Sequence, residues 1–428
     1  MKENLHSDSN KSFPPSIEAE PLLGAQESSL TVRDLWTPTF VLAKDRIEHN
    51  ATWMATWCSG LSVELMPHGK TTMSPELWKL QLERGATGIT VATPWQLSVA
   101  VSQGITSIQL ANQVTDQKAI AWIAGVKAHA QAEGKALHIW SWIDDVRTVK
   151  LVENVLNDAP TSYKLDVLLD LGRKGKRTGA RSIIEAIEVA KAVHKSPRLR
   201  LAGVAGYEGA IVNGRNPATE ATVKSYIEDI VTLHQKISSF YDTNDVLVSA
   251  GGSAFPDIVA GVFHEAITDR NIPEARYVLR SGTYLIHDDG FYHRMSPFDK
   301  NGLLPAGRGV TRIVSQPESG LALLDGGKRD FPYDEGFPIP LYFQRSGSDY
   351  AEKIFSDAAI FAMNDQHAFM HFDETLHLSP GDLVFIGLSH PCTMFDKWRD
   401  IPLVDSFSQT NGIPELKTAV KSFIHTDF

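Results

Sequence analysis

The segment VELMPHGKTTMSPELWK (residues 63–79) runs from a short apolar strand, through a turn, into a helix that opens with Ser74 and Pro75. Proline just after a serine is a helix start signal, because the first helical N–H has no intrahelical acceptor and its loss costs nothing. Between strand and helix stands one lysine, Lys70, with His68 and Gly69 before it and two threonines after. A lysine at a strand's end is either a solvated surface charge or a reactive amine.

The same strand–turn–helix unit recurs on both sides of this segment. Apolar or β-branched runs read as strands at residues 39–43, 62–66, 88–93, 107–111 and 136–140, then at 164–172, 201–207, 245–252 and 276–282. Helical periodicity fills stretches between them, among them residues 74–85, 115–132, 181–195 and 217–240. Strands alternating with helices imply βα units and a parallel sheet. The expected fold is α/β, a (β/α)8 TIM barrel with one strand to spare, and an open doubly wound sheet is the alternative. After Ile286 the texture changes to strands such as TRIVSQ and GDLVFIGLSH separated by Gly and Pro clusters, which predicts a mostly β C-terminal domain. Residues 1–30 are polar and rich in Ser, Glu and Pro, and are expected to form a flexible tail.

Composition narrows the function classes. The chain has 428 residues, 43% of them hydrophobic and 21% charged, as expected of a globular protein of two units. A net charge of −10 argues against nucleic acid as the main partner, since phosphate backbones select clustered cations. No apolar run reaches the ~20 residues that span a bilayer, and the N-terminus lacks an apolar signal core. Two cysteines cannot build a disulfide scaffold and suit a reducing compartment, so a cytoplasmic location is expected.

In a (β/α)8 barrel the working residues sit at the carboxyl ends of the strands. Those ends carry Pro67-His68-Gly69-Lys70, then Arg177 in RKGKRTG, then Tyr207-Glu208-Gly209. The last two end in Gly251-Gly252-Ser253 and Arg280-Ser281-Gly282-Thr283. Glycines let backbone N–H groups close on an anion, and hydroxyls add donors, so adjacent Gly-rich turns read as a phosphate cradle. A phosphate cradle facing a lysine suggests pyridoxal phosphate, whose aldehyde bonds to a deprotonated, cation-flanked amine. Lys70 and His68 are the candidate catalytic pair. A second constellation is Ser389-His390-Pro391-Cys392-Thr393: two residues apart on an extended segment, His390 and Cys392 face one side, and both side chains ligate zinc. Only two ligands are evident, so an open site is the chemically interesting option. Asp365, His367 and His371 are further candidates in that neighbourhood. The Trp-rich pieces at 51–57 and 138–143 are expected to be core or interface packing.

With these residues assembled, the chain resembles the fold-type III pyridoxal-phosphate enzymes related to alanine racemase. Within them it is most similar to the D-threonine aldolase and D-serine dehydratase group, in the amino acid deaminase branch. The resemblance rests on TPTFVLAKDRIEHN, PHGKTTMSPEL, GITVATPWQ, RTG, GYEG, GGS, RSGTY and the His-x-Cys pair, over about residues 35–400. It implies that Lys70 bonds covalently to the cofactor and acts in acid–base steps, that Arg177 lies near the pyridine ring, and that Tyr207 also contacts the cofactor. It further implies that Gly252, Ser253, Gly282, Thr283 and Tyr284 bind the phosphate, and that His390 and Cys392 hold a divalent metal, zinc being the expected ion. The first strand, within residues 31–45, would belong to the β domain of residues 286–428, leaving 46–285 as the barrel. Members are commonly homodimers that act on small D-amino acids. In this group the aldolases tend to carry His-x-Asp and the D-serine dehydratases His-x-Cys, so the pair here points to β-elimination giving a 2-oxo acid and ammonia. Retro-aldol cleavage is the alternative, followed by racemization, a non-catalytic pyridoxal-phosphate carrier and a hydrolytic zinc enzyme. Two departures from the family pattern, the long basic loop LGRKGKRTG and the bulky IWSW, bear on the substrate pocket.

Overall fold

The structure, a computed structural model, describes residues 11–14, 30–159, 163–298, 302–354 and 357–428. Eight parallel strands form one sheet: β2 (Glu64–Leu65), β3 (Ile89–Val91), β4 (Ser107–Gln113), β5 (His138–Ile143), β6 (Leu165–Leu171), β7 (Leu199–Gly206), β8 (Leu247–Ala250) and β9 (Arg276–Leu279). Their order is β2-β9-β8-β7-β6-β5-β4-β3. The two ends meet: Thr87 N–H donates to Leu65 O and Thr90 N–H to Pro67 O, both at 2.9 Å, and His68 bridges Thr90 in parallel. The sheet is therefore closed into a barrel, and the open doubly wound alternative is excluded.

Helices α1 (Lys44–Gly60), α2 (Pro75–Glu83), α3 (Pro94–Ser102), α4 (Gln117–Ala132), α5 (Val146–Asp158), α6 (Ile183–Lys195), α7 (Pro217–Ile237) and α8 (Pro256–Thr268) alternate with the strands. Several starts are written locally. Asp116, Asp145, Ser182 and Asn216 each accept a first-turn N–H, and proline opens α2, α3, α7 and α8. Ser74 is different: it precedes Pro75 as expected, but its buried hydroxyl has no hydrogen-bond partner among the described residues. The barrel interior is filled by its own cluster, in which Trp140 and Trp142 from β5 pack with Met66, Leu168, Ala202, Ala205, Leu247 and Val278. Two indoles from one strand fit because β7 offers only alanines there. Trp53 and Trp57 stack in parallel on α1 with ring centroids 6.3 Å apart, both edge-on to Phe298.

The strand left over from the barrel, β1 (Thr39–Ala43), lies in the second sheet. It pairs antiparallel with β10 (Gly307–Glu318) and parallel with β17 (Asp400–Val404). The other strands there are β11 (Leu321–Leu324), β12 (Ile339–Gln344), β13 (Ala351–Lys353), β14 (Ala358–Met363), β15 (Ala368–Phe372), β16 (Leu383–Gly387) and β18 (Val420–His425). A short helix, α9 (Phe291–Met295), connects the two parts. Of the segment expected to be a flexible tail, residues 1–10 and 15–29 lie outside the described residues. Residues 11–14 pack on the second sheet's domain: Lys11 Nζ is 2.7 Å from Asp330 and sits over the Trp398 ring, and Phe13 meets Phe423 edge-on. Among the described residues, no helix is long and apolar enough to cross a membrane.

Candidate active site

The carboxyl ends of the strands open into a cleft with about 550 Å³ of atom-free space, part of it open to solvent. His68, Lys70, Arg177, Tyr207, Gly252, Ser253, Gly282 and Thr283 line it, and Cys392 from the second domain joins them. The candidates scattered over the sequence thus share one cavity. Two candidates do not line it: His390, which is buried behind Cys392, and Tyr284. Its side chain is buried with its hydroxyl 3.0 Å from Gln81 Nε2, and it lines a smaller adjoining cavity together with Ser253 and Thr283.

Lys70 is presented by packing behind it. Gly69 must be glycine because a Cβ there would fall 2.6 Å from Trp78 Nε1, which donates to Gly69 O. The tight turn leaves Lys70 exposed at the cleft while Gly69 and Thr71 are buried. His68 beside it has a pKa far below the ordinary imidazole value, first through burial and then through the charges of Lys70, Arg280 and Arg177. It is therefore a neutral ring at physiological pH, and its Nδ1 is buried with no hydrogen-bond partner among the described residues.

Arg177 rides on the basic loop after β6, with its guanidinium 4.5 Å from the Tyr207 ring centroid. The loop is pinned from below, not loose. Arg181 donates to the carbonyls of Arg173, Arg177 and Thr178, Asp144 accepts from Gly179 N–H at 2.9 Å, and Arg173 pairs with Asp229. Beneath it the buried Asp170 accepts from Gln113 Nε2 at 2.9 Å, and burial raises its carboxyl to about 6. Burial likewise pushes the Tyr207 hydroxyl up to about 12, with Glu208 adding to the effect.

Two charged residues were quoted in the sequence motifs without being given a role. Arg280 is fully enclosed on the cleft floor, donating to Ser249 Oγ at 2.7 Å and to Gly206 O at 2.6 Å, and facing the Trp142 ring at 4.9 Å. Burial pulls its pKa down to about 10, with Glu208 and Asp170 opposing, so it stays cationic at neutral pH. Glu208 accepts from Gly252 N–H at 2.7 Å and Gly251 N–H at 3.1 Å. The Gly252 N–H expected to face a phosphate is thereby engaged from behind. The available signal was their position: a charge at the end of an apolar strand is rarely buried without a purpose.

On the second domain, His390 Nδ1 is 2.9 Å from Asp334 Oδ2, and Thr393 Oγ1 donates to Asp334 Oδ1 at 3.0 Å. Burial lowers the His390 pKa, but Asp334 and Cys392 outweigh it and raise the ring to about 10. Tyr292, which lines the cleft, lies with its ring centroid 5.4 Å from that of His390. Among the described residues, no group of three His, Cys, Asp or Glu side chains is placed to hold a metal ion. Asp365, His367 and His371 are thus not brought to the pair. His371 stacks on Phe361 at 3.9 Å, and Asp365 pairs with Arg329.

The cleft fits a phosphorylated aldehyde. It has an amine on one wall, hydroxyls and turns on another, the buried Arg280 with the exposed Arg177, and sealed polar atoms without partners among the described residues, among them His68 Nδ1 and Trp142 Nε1. The His390–Cys392 pair fits an open metal site only. A carboxylate on the far ring nitrogen is the arrangement that orients a ligating imidazole.

Comparison with known proteins agrees with this geometry. Residues 42–255, half of the chain, match the family described as "Alanine racemase, N-terminal domain", and residues 306–404 match "Putative serine dehydratase domain". A D-threonine aldolase of Arthrobacter sp is 23% identical over 361 residues, covering 83% of this chain and 82% of that protein. A 3-hydroxy-D-aspartate aldolase of Paracoccus denitrificans (strain Pd 1222) is 22% identical, covering 81% and 85%. Among solved structures, the D-threonine aldolase of Filomicrobium marinum superposes with a TM-score of 0.71 at 21% identity, over 93% of this chain and 98% of that one. The D-threo-3-hydroxyaspartate dehydratase of Delftia sp. HT23 gives 0.67 at 16% identity, over 91% and 98%. The fold is that of an alanine-racemase-like barrel with an antiparallel second domain. The chain belongs to the alanine racemase N-terminal domain family, within the fold-type III pyridoxal-phosphate enzymes.

Proposed function

We propose that this protein is a pyridoxal-phosphate- and metal-dependent lyase that eliminates water from small D-β-hydroxy amino acids, D-serine-like in type, and yields a 2-oxo acid and ammonia. The observation that carries the reading is the meeting of Lys70 with Cys392 in one cleft, with His390 held by Asp334 behind it. The spacing of that pair is supported from a relative. Solved structures of a D-threo-3-hydroxyaspartate dehydratase include alanine variants of a histidine and of a cysteine two positions on, the latter in a metal-free form.

The cofactor, when bound, supplies an electron sink for charge built up at the substrate's Cα. The divalent metal, zinc by its donors, would help the β-hydroxyl leave. In this reading Lys70 Nζ takes the Cα proton, and neutral His68 accepts or donates at the same wall. Ser253, Gly282 and Thr283 anchor the phosphate, with Tyr284 contributing through its backbone. Arg177, exposed at the cleft, and the buried Arg280 stabilise negative charge developing there, the low dielectric strengthening Arg280 in particular. The reading includes a homodimer and a cytoplasmic location. A monomer in sedimentation velocity would remove the former.

The curated relatives favour a second reading, retro-aldol cleavage, since both are aldolases. D-Threonine separates the two in one tube. 2-Oxobutyrate with ammonia supports elimination, whereas glycine with acetaldehyde overturns it and leaves the cofactor assignment standing. Lys70→Ala should abolish the visible absorption of the bound cofactor; an unchanged spectrum would sink the pyridoxal reading.

A further inference from the structure

Glu208, the residue after Tyr207 beyond β7, is a fully buried carboxylate that the reaction described above does not use. Its two oxygens are both committed. Oε1 accepts from Gly252 N–H at 2.7 Å and Oε2 from Gly251 N–H at 3.1 Å. Gly251 adopts φ +95°, a conformation that favours glycine, and a Cβ there would also fall 2.2 Å from Leu279 Cδ1. On the other side of the same turn, Ser281 Oγ donates to Gly252 O at 2.5 Å. The Gly251–Gly252 turn is therefore tied on one side to the end of β7 and on the other to the Arg280–Gly282 turn after β9. Ser253, the next residue, lines the cleft.

Enclosing a carboxylate is unfavourable, and burial raises the pKa of Glu208 accordingly. A negative group behind an anion site also repels the anion. The nearby buried Arg280 offsets part of the charge cost, but the carboxylate stands behind the Gly252 peptide and does not line the cleft. What it supplies is geometry: two N–H groups that would otherwise compete for a phosphate are occupied, and the turn is held in one register.

We propose that Glu208 is a positioning residue that fixes the Gly251–Ser253 turn so that Ser253, not Gly252, is presented to the phosphate of the cofactor. The inference rests on the pyridoxal-phosphate reading, and its test separates the two. Wild-type protein, Glu208→Gln and Glu208→Ala would be stripped of cofactor and titrated by absorbance with pyridoxal phosphate and with pyridoxal, which has the same ring and aldehyde and no phosphate. In Glu208→Ala the preference for the phosphorylated form should fall by roughly tenfold or more, the scale of losing a well-placed hydrogen-bonded anion contact. Affinity for pyridoxal should stay near the wild-type value. Glu208→Gln should fall between, since its amide oxygen can accept one N–H while its NH₂ faces the other. Equal loss of both affinities, or an unchanged preference, would overturn the positioning role and leave Glu208 a packing residue. If Glu208→Ala does not fold, Glu208→Gln decides alone by the same ratio. A wild-type protein that binds neither compound, or binds both alike, overturns the cofactor reading itself.

Discussion

Gly282→Ala probes how Lys70 is held. Gly282 has φ −121°, so backbone strain is not the reason for glycine there. The reason is contact: an added Cβ would lie 2.4 Å from His68 O and 2.9 Å from both His68 N and Cβ. Ordinary carbon–oxygen contact is roughly 3.4 Å, so the two turns must part by about 1 Å. The obstructing atoms are mostly backbone, and the His68 peptide is itself anchored by its N–H to Arg280 O at 3.1 Å. Overpacking of this kind costs ~1–3 kcal/mol. A displacement of about 1 Å at a reacting group costs on the order of 100-fold in rate. Urea unfolding and steady-state turnover of D-threonine should therefore show both losses, of similar size in free energy, since 100-fold in rate is about 2.7 kcal/mol. Gly125→Ala is the matched control: it sits exposed inside α4 with nothing within 4 Å of the new Cβ, and should gain about 0.5–1 kcal/mol. A stable and fully active Gly282→Ala protein would refute the idea that close packing of these two turns sets the lysine.

Three further outcomes follow from charges placed elsewhere in the fold. Asp170, raised by burial to about 6, is ionised earlier in the unfolded chain, so its contribution favours the fold below pH about 4 and is lost as pH rises through 6. Asp170→Asn should remove a falling limb of roughly 3 kcal/mol between those pH values. Urea midpoints at pH 4 and 7 read this, and parallel profiles for both proteins would contradict it. Asp334→Ala frees the His390 ring, and metal affinity should drop about 10–100-fold in competition with a chromophoric chelator; unchanged affinity would mean that Asp334 does not orient the ligand. Lys127 and Asp166 form a buried ion pair at 2.6 Å beneath the barrel. Lys127→Ala should cost about 3–5 kcal/mol in denaturant while leaving turnover intact, and a cost under 1 kcal/mol would show that Arg200 alone satisfies Asp166.

The fold was legible because its signals are local. β1 appears at the residues the apolar run TFVLA marks, and β6 is buried along its whole length, as an unbroken apolar run demands. Lys70 and the Gly-rich turns were legible because barrel topology gathers strand ends on one face. What the sequence withheld were partners distant along the chain. Asp334 lies 56 residues from His390, and Glu208 44 from Gly252. Nothing in spacing announces either pairing. Asp365, His367 and His371 misled for the converse reason. Their types suit a metal, but strand pairing carries that hairpin to β11, where His371 stands opposite Leu321.

The same distinction explains how the cleft divides between the two parts of the chain. The barrel brings Lys70, the buried Arg280, the exposed Arg177 and the Gly-rich turns, all from strand ends of one closed sheet. The second domain brings Cys392, and the connecting segment after β9, which carries Tyr292, is tied to it through Asp289 N–H to Leu388 O at 3.2 Å and Phe291 N–H to Ser389 O at 2.8 Å. Those bonds join the segment after β9 directly to the strand end that carries His390 and Cys392. Gly290 permits the contact, since a Cβ there would fall 2.6 Å from Ser389 O. Lys70 and Cys392 thus reach one cleft from separate parts of the chain, and their relative placement depends on the packing at this seam.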